Sequence, residues 1–170
     1  GEIETILDPS LGTGGFLTMS IKYLNKKYQN INWNLNKSNI YGFDIDDNVR
    51  NLALLNTLLE SGQIFNNNIV KNDTLQNDYT LDYKTVINSV DIILANEPFG
   101  LKSLKYKDCC KRIKELKIDG TKSEPLFLQL MMRSLNKNGR CAVIVPEGVL
   151  FNDASLHTGT RRYLIENLNL

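Results

Sequence analysis

Short β-branched runs alternate with longer amphipathic segments along this chain, and this alternation limits the possible folds more than any other feature. The short runs predict strands at residues 3–7, 39–44, 69–71, 90–95 and 141–145, and the longer segments predict helices at residues 16–28, 48–61 and 124–135. Gly, Pro, Asp or Asn marks each passage from strand to helix, as expected of short βα loops. We therefore predict an α/β fold with a mostly parallel sheet.

Composition narrows the class of protein. The 170 residues, of which 42% are hydrophobic, 20 basic and 19 acidic, fit a single globular domain. The longest apolar runs are far shorter than the roughly 18 residues that a membrane span needs. The start of the chain shows no secretory signal and no initiator Met, so we expect a piece of a longer cytoplasmic protein.

Cysteine and histidine usage argues against two further classes. The three cysteines form no C-x-x-C pair, and with a single histidine they cannot supply a structural zinc site. A reduced, intracellular protein without a metal is the expectation. We expect His157 to be a surface side chain in a loop at residues 153–159.

The most informative loop, DPSLGTGGFL at residues 8–17, lies between the first predicted strand and the first predicted helix. Ligands bind to α/β sheets at the carboxyl ends of strands, and glycine allows a positive φ and close approach of a ligand. Gly12 and Gly14 match the dinucleotide motif G-x-G-x-x-G, but its last position is Leu17, and no Gly-Lys-Ser/Thr follows. An acid before a tight glycine turn suits a ligand with an amine and a ribose. The alternative is that Asp8 merely caps a helix.

Acidic residues also follow the second and third predicted strands. Asp44 can accept hydrogen bonds from both hydroxyls of a ribose, and Ile45 beside it can pack on an adenine face. Asp73 can accept a hydrogen bond from an adenine amino group. Each signal is weak alone, but acids at three successive strand ends predict one shared site.

A cluster of positive charge follows the fourth predicted strand. Residues 101–122, here called the basic segment, contain three acidic and eight basic residues, the latter being Lys102, Lys105, Lys107, Lys111, Arg112, Lys114, Lys117 and Lys122. Such a segment is typical of a loop that binds a polyanion. A solvated, partly helical loop is the equally weighted alternative.

The motif NEPFG at residues 96–100 adds a specific family resemblance. The glycine loop, Asp44, Asp73 and an Asn-x-Pro-Phe motif, in this order, resemble S-adenosylmethionine-dependent amino-methyltransferases of DNA. With LFLQ at residues 126–129, LNKNGR at 135–140 and PEGVLF at 146–151, the chain is similar to the modification (M) subunit of type I restriction-modification systems. The likeness extends from about residue 6 to residue 162.

This resemblance implies a Rossmann-like class I S-adenosylmethionine-dependent methyltransferase fold, with the first five strands of a seven-stranded sheet. Residues 1–170 would then be a fragment of the catalytic domain, without the N-terminal helical region and the last strands. It implies methylation of adenine N6 in double-stranded DNA, a specificity (S) subunit and a restriction (R) subunit as partners, and no membrane. The implied cofactor-binding residues are Asp8, Pro9, Gly12, Thr13, Gly14, Gly15, Phe16, Asp44, Ile45, Asp73 and Thr74. The implied catalytic residues are Asn96, Glu97, Pro98 and Phe99.

One departure from the family pattern keeps alternatives open, because Glu97 stands where the family has proline. In the implied mechanism the side-chain oxygen of Asn96 and the backbone carbonyl of residue 97 accept the two amino hydrogens of adenine, while Phe99 stacks on the flipped base. The carbonyl survives the substitution, but a less rigid turn is expected. The alternatives are a catalytically degenerate nucleic-acid-binding module and an RNA or protein-glutamine N-methyltransferase.

Overall fold

Five parallel strands form the central sheet in the computed structural model of the chain, which describes residues 3–81, 84–85, 90–101 and 104–170. The strands, in chain order, are β1 (Ile6–Asp8), β2 (Ile40–Asp44), β3 (Ile69–Lys71), β4 (Thr80–Leu81), β5 (Lys84–Thr85), β6 (Val90–Asn96) and β7 (Leu135–Ile144). The sheet order is β3-β2-β1-β6-β7, with every pair parallel. The short strands β4 and β5 pair separately and are antiparallel.

Six α-helices connect and cover these strands within the described residues. They are α1 (Gly15–Lys27), α2 (Asp47–Ser61), α3 (Lys111–Lys114), α4 (Ser123–Ser134), α5 (Glu147–Phe151) and α6 (Ser155–Asn167). The three predicted helices are confirmed as α1, α2 and α4, with ends shifted by at most one residue. In that part of the chain no helix is long and apolar enough to cross a membrane.

The sheet separates two apolar cores, as expected when helices cover both faces of parallel strands. Successive side chains of a strand point to opposite faces, so Ile6 joins the core beneath α1 and α2, whereas Leu7 joins the core beneath α4. Ile6 and Leu7 are both almost fully buried. Burial of each such side chain contributes roughly 1.5–3 kcal/mol, which fixes the sheet between its helix layers.

Two strands begin at residues well away from the prediction, whereas the other strand boundaries differ by at most one residue. The first strand begins at Ile6 rather than at residue 3, and the last begins at Leu135 rather than at residue 141. Asp91 contacts the chain near the start of both strands. Its Oδ2 accepts a 2.8 Å hydrogen bond from the Thr5 N–H, and its Oδ1 accepts one from the Asn136 side-chain amide. These bonds tie the residue before β1 and the second residue of β7 to β6.

The prediction for His157 is wrong. His157 lies in helix α6 rather than in a loop, and only 7% of it is exposed. The apolar residues of α6 are too sparse to give a clear helical period, so the sequence did not reveal that this turn packs inward. Burial lowers the pKa of the imidazole, and Arg161 lowers it further.

Candidate functional site

A cavity of about 420 Å³ opens at the carboxyl ends of β1 and β6. These two strands are neighbours in the sheet although they are far apart in the sequence. The cavity is lined by Asp8, Ser10, Leu11, Gly12, Thr13, Gly15, Phe16, Met19 and Asn96. The structure therefore brings most of the predicted glycine-loop residues together with the first residue of the NEPFG motif.

Two glycines of the loop adopt the left-handed conformation that the sequence predicted. Gly12 has φ +54° and Gly14 has φ +79°, and Gly14 is the N-cap of α1. A Cβ at Gly14 would lie 2.9 Å from the Cβ of Ala53 in α2, so this position also sets how closely the two helices pack. Gly12 leaves open space where a side chain would be, which keeps the backbone accessible from the cavity.

The neighbouring strand β2 anchors the glycine loop. The Gly12 N–H donates a 2.9 Å hydrogen bond to Oδ2 of Asp44, and the Leu11 N–H donates one of the same length to the Phe43 carbonyl. Oδ1 of Asp44 accepts a further bond from the Asp46 N–H. Asp44 thus shapes the loop besides presenting a carboxylate at the strand end.

Two polar side chains hold the loop from further away. The Thr74 hydroxyl donates a 3.0 Å hydrogen bond to the Pro9 carbonyl, and the Asn56 amide donates a 2.9 Å bond to the Thr13 carbonyl. Thr74 and Pro9, both predicted to bind cofactor, contact each other here. Sequence reasoning missed Asn56, because nothing local distinguishes it from the other asparagines of α2.

Asp8 is buried at the floor of the loop and is only 1% exposed. Burial raises the pKa of its carboxyl to about 7; the Ser10 N–H, which donates to Oδ1, opposes the rise, and the charge of Asp44 adds to it. The alternative that Asp8 caps a helix is wrong, since the N-cap of α1 is Gly14. Asp8 instead supplies a carboxyl to the cavity wall.

The predicted residues at the ends of the second and third strands, Asp44, Ile45 and Asp73, are not among the residues that line the cavity. Ile45 is 60% exposed and presents an apolar surface next to Asp44. Asp73 accepts hydrogen bonds from the N–H groups of Leu75 and Gln76 and a 2.6 Å bond from the Gln76 side chain. Its carboxylate therefore already stabilises the turn after β3.

Asn96 and Glu97 point to opposite sides of β6. Asn96 is exposed and lines the cavity, whereas Glu97 is only 2% exposed and lies toward α4. Burial raises the pKa of the Glu97 carboxyl to about 8, and the charge of Glu124 contributes to the rise. Neither carboxylate oxygen of Glu97 has a hydrogen-bond partner among the described residues. The acid that replaces proline therefore does not occupy the cavity.

The rest of the NEPFG motif is open to solvent. Phe99 is 51% exposed, Pro98 is exposed, and Gly100 has φ +67°. The Gly100 N–H donates a 2.8 Å hydrogen bond to Oε1 of Glu124 at the start of α4. Sequence reasoning missed this contact, because the Ser-Glu-Pro sequence at residues 123–125 indicates only a helix start.

The basic segment is partly folded onto the core. Cys109, Cys110 and Ile113 are buried, and the Cys110 N–H donates a 2.7 Å hydrogen bond to the Leu75 carbonyl. Arg112 pairs with Asp78 at 3.4 Å and lies over the ring of Tyr79. The exposed cations are Lys105, Lys107, Lys111, Lys114, Lys117 and Lys122, while Lys102 lies outside the described residues.

A parallel sheet with a glycine loop after its central strand and a polar motif after the adjacent strand defines a doubly wound α/β ligand-binding domain. The sequence model of the family described as N-6 DNA Methylase matches residues 2–170, and the chain belongs to this family. The resemblance predicted from the motifs is thereby confirmed.

Individual relatives agree with this assignment. The chain is 28% identical to the type I restriction enzyme EcoEI methylase subunit of Escherichia coli, over 98% of this chain and 33% of that protein. It resembles the solved modification subunit of a putative type I restriction enzyme from Vibrio vulnificus YJ016, with TM-score 0.69 and 26% identity over 96% of this chain and 34% of the other. A putative class I S-adenosylmethionine-dependent methyltransferase from Listeria monocytogenes shares the fold, with TM-score 0.62 and 20% identity over 98% of this chain and 46% of the other.

These likenesses confirm the predicted fold class. The chain spans about a third of the length of the two restriction-enzyme relatives. The division into a catalytic fragment at residues 1–170, with further strands outside it, stays a prediction.

Proposed function

We propose that the full-length protein is a site-specific, adenine-specific DNA methyltransferase. It transfers a methyl group from S-adenosylmethionine to the 6-amino group of an adenine flipped out of double-stranded DNA. The observation that carries this proposal is the single cavity lined by both the glycine loop and Asn96. A cofactor site and an acceptor for the target amine are adjacent there, as a direct transfer requires.

The residues present fit the cofactor. Positive-φ glycines let a ligand approach the backbone of the loop, Asp44 offers a carboxylate for ribose hydroxyls, and exposed Ile45 offers an apolar surface for adenine. Because the pKa of the Asp8 carboxyl is about 7, Asp8 can be charged or neutral near neutral pH, and either form can accept a hydrogen bond from an amine. When bound, S-adenosylmethionine supplies a methyl group activated by its sulfonium.

Asn96 and the residue 97 carbonyl would position the target amine. An adenine amino group is a poor nucleophile because its lone pair is delocalised into the ring. Two acceptors for its hydrogens localise the lone pair and aim it at the methyl group, so that positioning supplies much of the catalysis. Phe99, exposed beside them, would stack on the flipped base for about 1–3 kcal/mol, offsetting an extrusion cost of a few kcal/mol.

The partners proposed for this protein are inferred from its relatives. One relative, from Escherichia coli, is a type I restriction enzyme methylase subunit. We infer that this protein works in a restriction-modification system, with a specificity subunit and a restriction subunit, and acts in the cytoplasm. A fused recognition region would replace the separate specificity subunit in a stand-alone enzyme.

Tritiated methyl transfer to unmethylated DNA, by the full-length protein with its partner subunit, tests the proposal. Asn96→Ala should abolish transfer and leave cofactor affinity nearly unchanged, because its oxygen acts on the target amine. Asn66→Ala, at an exposed asparagine before β3, is the matched control and should keep full activity. Loss of cofactor binding in Asn96→Ala would contradict the assigned role.

A catalytically degenerate nucleic-acid-binding module is the second candidate function. It is favoured because the Glu97 carboxyl is buried without a hydrogen-bond partner among the described residues. Glu97→Pro restores the family motif and should raise activity if Glu97 is a tolerated but imperfect substitution. A wild type inactive on every unmethylated DNA, with no rescue by Glu97→Pro, would establish the binding module instead. RNA and protein acceptors in the same assay test the remaining alternatives, which Phe99 disfavours because those enzymes commonly have tyrosine at this position.

A further inference from the structure

Two adjacent side chains at the start of α4 accept hydrogen bonds from two consecutive backbone amides at the end of the NEPFG motif. The Gly100 N–H donates to Oε1 of Glu124 at 2.8 Å, and the Leu101 N–H donates to Oγ of Ser123 at 3.3 Å. The Ser123 hydroxyl in turn donates to Oε2 of Glu124 at 3.0 Å. The three bonds link the exposed loop that carries Phe99 to a helix of the core.

The helix end provides a rigid support. Ser123 is fully buried, and the α4 residues that follow, from Pro125 to Met131, are buried against the sheet. Phe99 itself is 51% exposed. The position of its ring therefore depends on how the backbone on either side of it is held.

Glu124 is suited to accept these bonds as a carboxylate. Partial burial alone would raise the pKa of its carboxyl, but hydrogen bonds from its own N–H, from Gly100 and from Ser123 outweigh this, and the pKa lies below the ordinary value. A bond from an N–H to an ionised acceptor is roughly twice as strong as a neutral one. Gly100, which donates one of these bonds, has a left-handed φ of +67°, a conformation that favours glycine.

We propose that Ser123 and Glu124 are positioning residues for methyl transfer, holding the loop after Asn96 so that Phe99 stands ready to stack on the flipped adenine. This role rests on the proposed methyltransferase function. Neither side chain is assigned a contact with substrate, since both act through the backbone of Gly100 and Leu101. Loss of either should leave the cofactor site intact and affect the capture of the base.

The test uses the full-length protein with its partner subunit and two duplexes of one sequence. The first has adenine at the target and gives kcat, and the second has 2-aminopurine in place of that adenine and reports base flipping by fluorescence. Glu124→Ala should lower kcat about 10- to 100-fold, as expected for a charge-assisted bond of roughly 1.5–3 kcal/mol. The fluorescence rise on binding should shrink, and the cofactor Kd should stay within about 2-fold of the wild-type value. Glu124→Gln keeps an oxygen for Gly100 and should restore most of the activity.

Ser123→Ala, nearly isosteric at a buried site, provides a second test if Glu124→Ala fails to fold, and a smaller loss of kcat and fluorescence is expected. Hydrogen exchange at the Gly100 and Leu101 amides should accelerate in both alanine variants. Glu166→Ala, at an exposed glutamate of α6, is the control and should match the wild type. Unchanged kcat and fluorescence in both alanine variants of an active enzyme would overturn the positioning role alone. An inactive wild type would overturn the proposed function and this role together.

Discussion

Asp44 is predicted to bind the ribose of the cofactor, and in the structure it also holds the glycine loop. Its position at the end of β2 predicts a ribose acceptor, and its Oδ2 in addition accepts a hydrogen bond from the Gly12 N–H. The proposed ribose acceptor is therefore also an anchor of the glycine loop. Substitutions at this residue should affect both tasks, and the choice of substitution distinguishes them.

Asp44→Ala should lower the affinity for S-adenosylmethionine about one to two orders of magnitude, since charge-assisted hydrogen bonds contribute roughly 1.5–3 kcal/mol. Asp44→Asn keeps an oxygen for Gly12 and should lose less. Calorimetry on the intact protein measures both. Asp47→Ala, an exposed acid at the start of α2, serves as the control. Equal affinity for the wild type and Asp44→Ala would remove Asp44 from the cofactor site.

At the level of whole elements, the contact between α1 and α2 depends on a single missing side chain. A Cβ at Gly14 would lie 2.9 Å from the Cβ and 3.1 Å from the Cα of Ala53, and φ at Gly14 is +79°. Gly15, one residue later, has open space where its Cβ would lie. The two adjacent glycines therefore respond oppositely to the same substitution.

Gly14→Ala should lower the free energy of unfolding by about 1–3 kcal/mol through backbone strain and the clash with α2. Gly15→Ala should be neutral or should raise it by up to about 1 kcal/mol, since alanine is favoured inside a helix. Urea unfolding of the two variants gives the comparison. Equal stability of the two variants would mean that the loop adopts another conformation.

The basic segment is both a packed element and a charged surface. Arg112 belongs to the packed part, since it pairs with Asp78 and lies over Tyr79. A charge-neutralisation experiment that includes Arg112 would therefore combine lost stability with lost DNA contacts. The exposed lysines are the residues to change.

Neutralising Lys105, Lys107 and Lys111 to alanine should weaken DNA binding and flatten its salt dependence. Each lost phosphate contact removes about 0.9 from the log–log slope. Binding titrations over a range of salt concentrations measure this. The control neutralises Lys22, Lys26 and Lys27, which are exposed on α1. If both triple variants keep the wild-type slope, the segment is a solvated surface.

For the molecule as a whole, two buried carboxyl groups should make stability depend on pH. Burial raises the pKa of Asp8 to about 7 and that of Glu97 to about 8. Between the ordinary range of a carboxyl and these values, the folded state holds protons that the unfolded state has released. Stability therefore falls as pH rises toward 8 and levels off above it.

Glu97→Gln should remove the contribution of Glu97 to this pH dependence of stability. From pH 6.5 to 8.5 the wild type should lose stability with a slope of up to about 1.4 kcal/mol per pH unit for each proton, and the variant should lose less. Above pH 8 the variant should be the more stable protein. Denaturant unfolding at several pH values tests this, with Glu166→Gln on α6 as the exposed control. Parallel wild-type and Glu97→Gln curves would place the titration elsewhere.

The sequence by itself determined that the five sheet strands and the three main helices exist, that the glycine loop permits positive φ, and that Asp44 lies at a strand end. These features depend on local periodicity and on the conformational freedom of glycine. The family also follows from the sequence, because its motifs are contiguous.

Only the tertiary structure decided that β1 and β6 are neighbours, which brings Asn96 to the glycine loop. It also decided that Glu97 turns away from the cavity toward Glu124, that Arg112 packs inward and that His157 is buried. Each of these outcomes depends on side-chain direction and on contacts between residues far apart in the chain. The local sequence pattern does not predict such contacts, because they form only when the sheet and its helices pack together.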